Sequence, residues 1–202
     1  MKKLLICLFA LCLIPLAHAA TGFKEGVNYT VVRQQATEHP QVMEFFSYYC
    51  PHCFAFEPII AELKKDLPKN VEFQRNHVAF LGGAMGEEMV RAYAVAEILE
   101  VTDKITPAIF KAIHIQRKPI ESRDDIRQIF VDNGVSGADF DSAVDSFAVN
   151  GLVAQMDKNT RDFRIQGVPT VIVNGKYEVN PGSVKSADEY INLVKYLVTQ
   201  KD

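Results

Sequence analysis

The stretch Gln41-Val42-Met43-Glu44-Phe45-Phe46-Ser47-Tyr48-Tyr49-Cys50-Pro51-His52-Cys53 decides how this chain is read. Gln41 to Ser47 is a short apolar run suited to a buried β-strand. From Pro51 the spacing of apolar residues becomes helical and holds to Leu67, where Pro68 stops it. Cys50 and Cys53 therefore stand at i and i+3 where a strand hands over to a helix. Two sulfurs at that spacing can close a disulfide, and the first faces a helix N-terminus, whose unpaired N–H groups and dipole favour a thiolate at Cys50. His52, between the two sulfurs in sequence, adds a donor or a positive charge. Cys53, one turn deeper, is expected to be shielded from solvent and to serve as the partner sulfur.

Three other uses of the pair fit the sequence less well. As a structural staple it is weak, because closing a ring of about four residues stabilises by only roughly 2 kcal/mol. Structural zinc needs four ligands, yet there is no second cysteine pair and His39, His77 and His114 are dispersed. Covalent haem attachment requires a histidine after the second cysteine, and Phe54 stands there. A redox dithiol is the reading left, with no metal and no cofactor implied.

Working outward, Val71 to Phe80, with Val71, Phe73, Val78 and Phe80, reads as a second strand. Strand, helix and strand then form a unit whose strands should run parallel. Near the other end, Pro169 to Val173 and Lys176 to Val179 flank Asn174-Gly175, a strong signal for a hairpin with a type I′ turn. Ala187 to Thr199 is an amphipathic helix. Between the two β regions the pattern is helical: Val90, Tyr93, Ala94, Ile98 and Leu99, then Ile126, Ile129 and Phe130, then Phe140, Ala143, Val144 and Phe147. Ser122 and Ser136 are placed to cap helix starts, while Asn133-Gly134 and Asn150-Gly151 read as helix stops. An α/β layer thus holds a helical insertion over 82–163, long enough for a small core of its own.

The N-terminus reads as a signal peptide over 1–19. Met1-Lys2-Lys3 gives a positive start, and Leu4 to Leu16 is uncharged and apolar but too short to cross a bilayer core of about 30 Å as a helix. Ala17-His18-Ala19 supplies a cleavage site, with a cut after Ala20 nearly as good. Export removes Cys7 and Cys12, leaving Cys50 and Cys53 in a compartment where disulfides persist. The 202 residues are 48% hydrophobic and 23% charged, an ordinary globular composition. A net charge of -3 with scattered Lys and Arg leaves no basic surface for nucleic acid.

Period-2 reading places Glu44 on one strand face with Val42 and Phe46, and Arg75 on one with Val71 and Phe73. Each ionisable group therefore sits on an apolar face, where unpaired burial is costly. They lie at a solvated rim, or form a structural ion pair, or do chemistry. Pro58, inside the predicted helix, either bends it or ends it early.

Taken together, Glu44 to Cys53, His77-Val78-Ala79-Phe80-Leu81-Gly82-Gly83, Gly167-Val168-Pro169-Thr170 and Val173-Asn174-Gly175-Lys176-Tyr177 resemble the DsbA family of thiol:disulfide oxidoreductases. The resemblance covers essentially the whole mature chain. It implies an α/β, thioredoxin-like fold over 20–81 and 164–202 with the inserted helical domain between. It implies a catalytic set of Cys50, Pro51, His52 and Cys53. Glu44 below the disulfide would relay a proton to and from Cys53, although Arg75 stands where the family usually has Lys and holds its proton more firmly. Val168 and Pro169 would meet the substrate, with a cis peptide between them, and Pro58 would kink the helix. Thr170 replaces a familiar Ala. The implied activity is oxidation of newly exported, unfolded proteins with free cysteines by a periplasmic monomer, itself reoxidised by a DsbB-like membrane quinone reductase. An isomerase or reductase, and a peptide-binding chaperone that needs neither cysteine, are the competing classes.

Overall fold

The computed structural model describes residues 22–200, so the predicted signal peptide lies outside the described residues. Five strands form one sheet. The strands are β1 (Tyr29–Val31), β2 (Gln41–Phe46), β3 (Glu72–His77), β4 (Thr170–Val173) and β5 (Tyr177–Val179), in spatial order β1-β5-β4-β2-β3. β2 and β3 run parallel, joined through α1 (Pro51–Asp66) as the strand–helix–strand reading requires, and every other pairing is antiparallel. β1 has no strong signal in the sequence and is recruited by pairing with β5.

β2 is the central support of the site. From Val42 to Phe46 it is buried on both faces, which explains why it reads as an apolar run and not as an alternation. Val42 packs with Ile60 and Leu63 of α1 and with Leu193, Val194 and Leu197 of α7 (Ala187–Thr199) on one face of the sheet. Met43 and Phe45 pack with Val78, Ile165 and Ile172 on the other. The hairpin between β4 and β5 forms as expected: Asn174 and Gly175 both take positive φ, 52° and 63°, and Lys176 N–H donates to Val173 O at 3.0 Å. α1 continues through the exposed Pro58 to Asp66 and does not end early.

The interval between β3 and β4 is helical, as predicted: α2 (Met85–Ile98), α3 (Thr102–His114), α4 (Arg123–Asp132), α5 (Gly137–Val144) and α6 (Phe147–Asp162). Ser122 caps α4 in a reciprocal box with Asp125, and Ser136 caps α5 through Ala138 N–H. Four expectations need correction. The second strand ends at His77, and Phe80 lies beyond it, 47% exposed. Asn150-Gly151 is not a helix stop, because Ser146 caps α6 just upstream by accepting from Val149 N–H, and the helix runs on to Asp162. Phe147 does not share the buried face of α5, since the chain breaks at Asp145 and leaves Phe147 at the start of α6, 94% exposed. Nor is the core of the helices separate: Phe46, Tyr48, Cys50 and Cys53 belong to the same apolar cluster as Met89, Ile105, Phe110 and Phe130.

Candidate active site

The tight loop Ser47-Tyr48-Tyr49 carries the chain from β2 into α1. Cys50 N–H donates to Ser47 O at 3.0 Å, which turns the backbone so that Cys50 becomes the N-cap of α1 in an extended conformation. Pro51 then occupies the first helical position, where its missing N–H removes no helical bond. As N-cap, Cys50 replaces the usual oxygen with sulfur: Cys53 N–H donates to Cys50 Sγ at 3.2 Å. The placement of an accepting sulfur at a helix N-terminus, inferred from spacing, is thus observed as a hydrogen bond.

Both cysteines are free thiols and both are largely buried, but not equally: Cys50 keeps 4% of its surface and Cys53 none. The Cys53 thiol is pushed well above an ordinary thiol, first by burial and then by its hydrogen bond with Cys50. Of the two, only Cys50 keeps any contact with solvent. His52 is exposed on the first turn of α1. The Cys50 thiol donates to Val168 O at 3.3 Å, just ahead of β4, the neighbour of β2 in the sheet, and the Val168-Pro169 peptide is cis. Pro169 directly precedes β4, while Thr170 Oγ1 donates to Gly167 O at 2.9 Å. The two ends of the sequence signature, far apart along the chain, therefore meet at one sulfur.

Beneath the dithiol, Glu44 and Arg75 stand opposite one another in the β2–β3 ladder. Arg75 Nε donates to Glu44 Oε2 at 2.7 Å and Nη2 to Glu44 Oε1 at 3.3 Å. The solvated-rim alternative fails, since Glu44 is fully buried. A third member escaped the sequence reading: Glu57 of α1 also accepts from Arg75 Nη2. Helical spacing sets Glu57 and Ile60 on one face of α1 with Cys53, but that spacing alone does not single out Glu57 from a solvated helix face. Two carboxylates share one guanidinium, so one of them is under-compensated. Burial pushes Glu44 up to about 7 despite Arg75, while burial works to lower Arg75 and is outweighed by the two carboxylates, which together hold it above its ordinary value. Arg75 also lies over the Phe46 ring, 4.0 Å from its centroid. Glu57 and Arg75 line a cleft of about 530 Å³ with Tyr93, Glu97 and Thr106, whereas Glu44 stays buried behind Arg75.

Two more residues around the motif were noted in the sequence only as dispersed histidines. His77 Nε2 accepts from Tyr48 N–H at 2.9 Å, and His114 Nε2 lies 2.8 Å from Tyr48 O. Burial lowers His77 to about 3, so its ring is neutral. Among the described residues no group of three or more His, Cys, Asp or Glu is gathered to hold a metal ion.

Comparison with known proteins bears on this geometry directly. Residues 41–197 match the family model of the DSBA-like thioredoxin domain. The thiol:disulfide interchange protein DsbA of Salmonella typhi is 41% identical, with all of both chains covered. The crystal structure of DsbA from Proteus mirabilis superposes with a TM-score of 0.82 at 40% identity, covering 89% of this chain and 99% of that one. A complex of a cysteine-to-serine form of the Proteus protein with a non-covalently bound peptide, PWATCDS, superposes with a TM-score of 0.81 at 40% identity, covering 88% and 99%. With this fold, and with its two thiols at the head of α1, the chain belongs to the DsbA family of thiol:disulfide interchange enzymes.

Proposed function

We propose that this chain is an exported dithiol oxidase that donates a Cys50–Cys53 disulfide to newly translocated proteins. The observation that carries the direction of transfer is the Cys53 N–H donated to Cys50 Sγ at the N-terminus of α1. An N–H aimed at the sulfur stabilises a thiolate there, and a thiolate exists only in the reduced form, so the interaction favours release of the disulfide to substrate.

In the proposed cycle a substrate thiolate attacks Cys50 Sγ of the disulfide. The Cys50–Cys53 bond breaks, Cys53 leaves with the electron pair, and a mixed disulfide joins substrate to Cys50. Cys53, deeply buried, then needs a proton, and Glu44 is the relay proposed to supply it. A second substrate thiolate attacks the substrate sulfur of the mixed disulfide and Cys50 leaves as thiolate. Two electrons have passed to the enzyme, and the substrate holds the new disulfide.

Val168 O is an acceptor beside Cys50, suited to an extended substrate backbone once the thiol no longer occupies it. The Proteus complex, which holds a cysteine-containing peptide, supports the same substrate class. Pro51 presets the first turn, and the role proposed for His52 is to add a donor or a positive charge near the sulfur. The remaining parts of the reading are a signal peptide over 1–19, a thioredoxin-like domain over 20–81 and 164–202, the helical domain over 82–163, a periplasmic monomer, and reoxidation by a DsbB-like membrane quinone reductase.

The test is oxidation of a reduced, unfolded disulfide protein by the oxidised enzyme, run beside insulin reduction and repair of scrambled disulfides. Stoichiometric oxidation in the first assay with little activity in the others is expected. Offered the same protein with its disulfide intact, Cys53→Ser should be trapped as a mixed disulfide, because its Cys50 thiolate attacks the substrate disulfide, one substrate sulfur leaves as thiolate and no Cys53 is present to resolve the product, whereas Cys50→Ser should not be trapped. Activity that survives loss of both cysteines would make the protein a binder and not an oxidase.

A further inference from the structure

A sulfur held at a helix N-terminus stays in place only if the loop before it is as well anchored as the helix after it. Tyr48 lies two residues before Cys50, and imidazole rings take both of its peptide groups. Its N–H donates to His77 Nε2 at 2.9 Å, and its C=O lies 2.8 Å from His114 Nε2. A carbonyl oxygen can only accept, so His114 carries a proton on Nε2 and donates it. His77 comes from β3, whereas His114 is the last residue of α3 in the helical insertion. The His114 ring also lies flat on Phe54, with centroids 5.1 Å apart and planes at 8°. Phe54 is the residue after Cys53. A single side chain of the insertion therefore touches the motif on both flanks.

We propose that His114 is a positioning residue for disulfide exchange, which fixes the Cys50 sulfur against Cys53 N–H by holding Tyr48 and Phe54, and so favours the dithiol over the disulfide. This rests on the oxidase reading above. The preference for one redox state follows from what holds the sulfurs in each. In the dithiol, Cys50 Sγ is kept 3.2 Å from Cys53 N and 3.3 Å from Val168 O by the placement of the loop alone. In the disulfide a covalent bond sets the two sulfurs, and the loop anchor matters less. Tyr48 reinforces the anchor through its hydroxyl, 3.1 Å from Thr106 Oγ1, also on α3.

The experiment is the redox equilibrium of the whole mature protein with glutathione, for the wild type, His114→Leu and His114→Gln. Leucine packs on Phe54 but cannot donate, whereas glutamine donates from its own Nε2 without a ring or a charge. Loss of one hydrogen bond should move the His114→Leu equilibrium roughly three- to tenfold toward the disulfide, and His114→Gln should return within about twofold of wild type. Melting temperatures of both redox forms separate positioning from general damage: in His114→Leu the reduced form should lose more than the oxidised form. An unmoved His114→Leu equilibrium, equal losses in both forms, or a His114→Gln equilibrium that stays with His114→Leu would overturn the proposal. The wild-type constant judges the oxidase reading separately, since a disulfide as hard to reduce as a structural crosslink would remove that reading whatever the variants do.

Discussion

Arg75 faces Glu44 directly across the parallel ladder of β2 and β3, Nε to Oε2 at 2.7 Å, and shares the same guanidinium with Glu57. Removing charges from water costs more than one shared partner returns, and the penalty falls on the more deeply buried carboxylate. Glu44, with no exposed surface, is that carboxylate. The group beneath the dithiol is consequently poised to exchange a proton near neutral pH, while Arg75 holds its own charge throughout. Arginine in this place therefore tunes its neighbour and does not itself pass protons.

The first prediction concerns Glu44→Gln. Folded Glu44 titrates at about 7 against an ordinary 4.5, so between these values the folded state binds a proton that the unfolded chain has released. Wild-type stability should fall as pH rises through that window, and the glutamine variant lacks this slope. The stability of Glu44→Gln relative to wild type should grow by up to about 3 kcal/mol from pH 4.5 to above 7. Denaturant unfolding of reduced protein at several pH values checks it, and a flat difference would show that the carboxylate is charged throughout. Turnover of the same variant should slow in a pH-dependent way if Glu44 relays protons, whereas a profile that does not move leaves only a structural role.

The second concerns His52, exposed one residue into the first turn of α1. A donor or a positive charge there should stabilise the Cys50 thiolate by roughly 1 kcal/mol, the scale of one hydrogen bond, additional to the helix N-terminus. His52→Leu should accordingly shift the glutathione equilibrium roughly fivefold toward the disulfide. The quenched-equilibrium assay that measures it would refute the assigned role if the constant stayed where it was.

These two residues were legible in the sequence for local reasons. His52 lies inside the motif, and Glu44 and Arg75 are ionisable residues set among apolar ones on strands whose parallel pairing then sets them in register. Glu57 was passed over because a charged residue on a half-exposed helix looks like part of a solvated face, and nothing local shows that Arg75 points toward it. The pairing of His77 and His114 around Tyr48 was not legible at all. It depends on how α3 packs against the loop before Cys50, a long-range relationship that no periodicity encodes. Asn150-Gly151 misled for the opposite reason. A local stop signal was overruled by the Ser146 cap upstream and by Asn150 itself, which donates to Asp145 O and accepts from Arg91.

The third prediction is that His77 remains neutral across the working range. Burial holds it at about 3, well below the usual 6.5, and its Nε2 accepts from Tyr48 N–H. The unfolded chain binds a proton here between pH 3 and 6.5 that the folded state does not, so this group makes stability rise with pH in that interval, opposite in sign to Glu44. Ring resonances of His77 followed by NMR should not titrate between about pH 5 and 8, and should report an unprotonated Nε2. A midpoint near 6.5 would mean that the ring is reached by water and that Tyr48 N–H has lost this acceptor.

The fourth compares two helical glycines that look alike in sequence and should respond in opposite directions. Gly151 lies inside α6, and a Cβ built there meets nothing within 4 Å. Gly151→Ala removes backbone freedom from the unfolded chain without a clash, so it should stabilise by about 1 kcal/mol and raise the melting temperature by roughly 2–4 °C. Gly86 lies in the first turn of α2, buried, and a Cβ there would run into the backbone oxygens of Ala79 and Leu81. Those carbonyls belong to the segment that leads from His77 back over the Tyr48–Tyr49 loop, and backbone cannot swing aside as a side chain can. Gly86→Ala should therefore destabilise by about 3 kcal/mol or more, the cost of overpacking a site that cannot relax. Thermal melts of the two variants in both redox states decide the matter: a destabilised Gly151→Ala would place an unseen contact against α6, and a neutral Gly86→Ala would mean that the turn before α2 yields more readily than its close backbone approach implies.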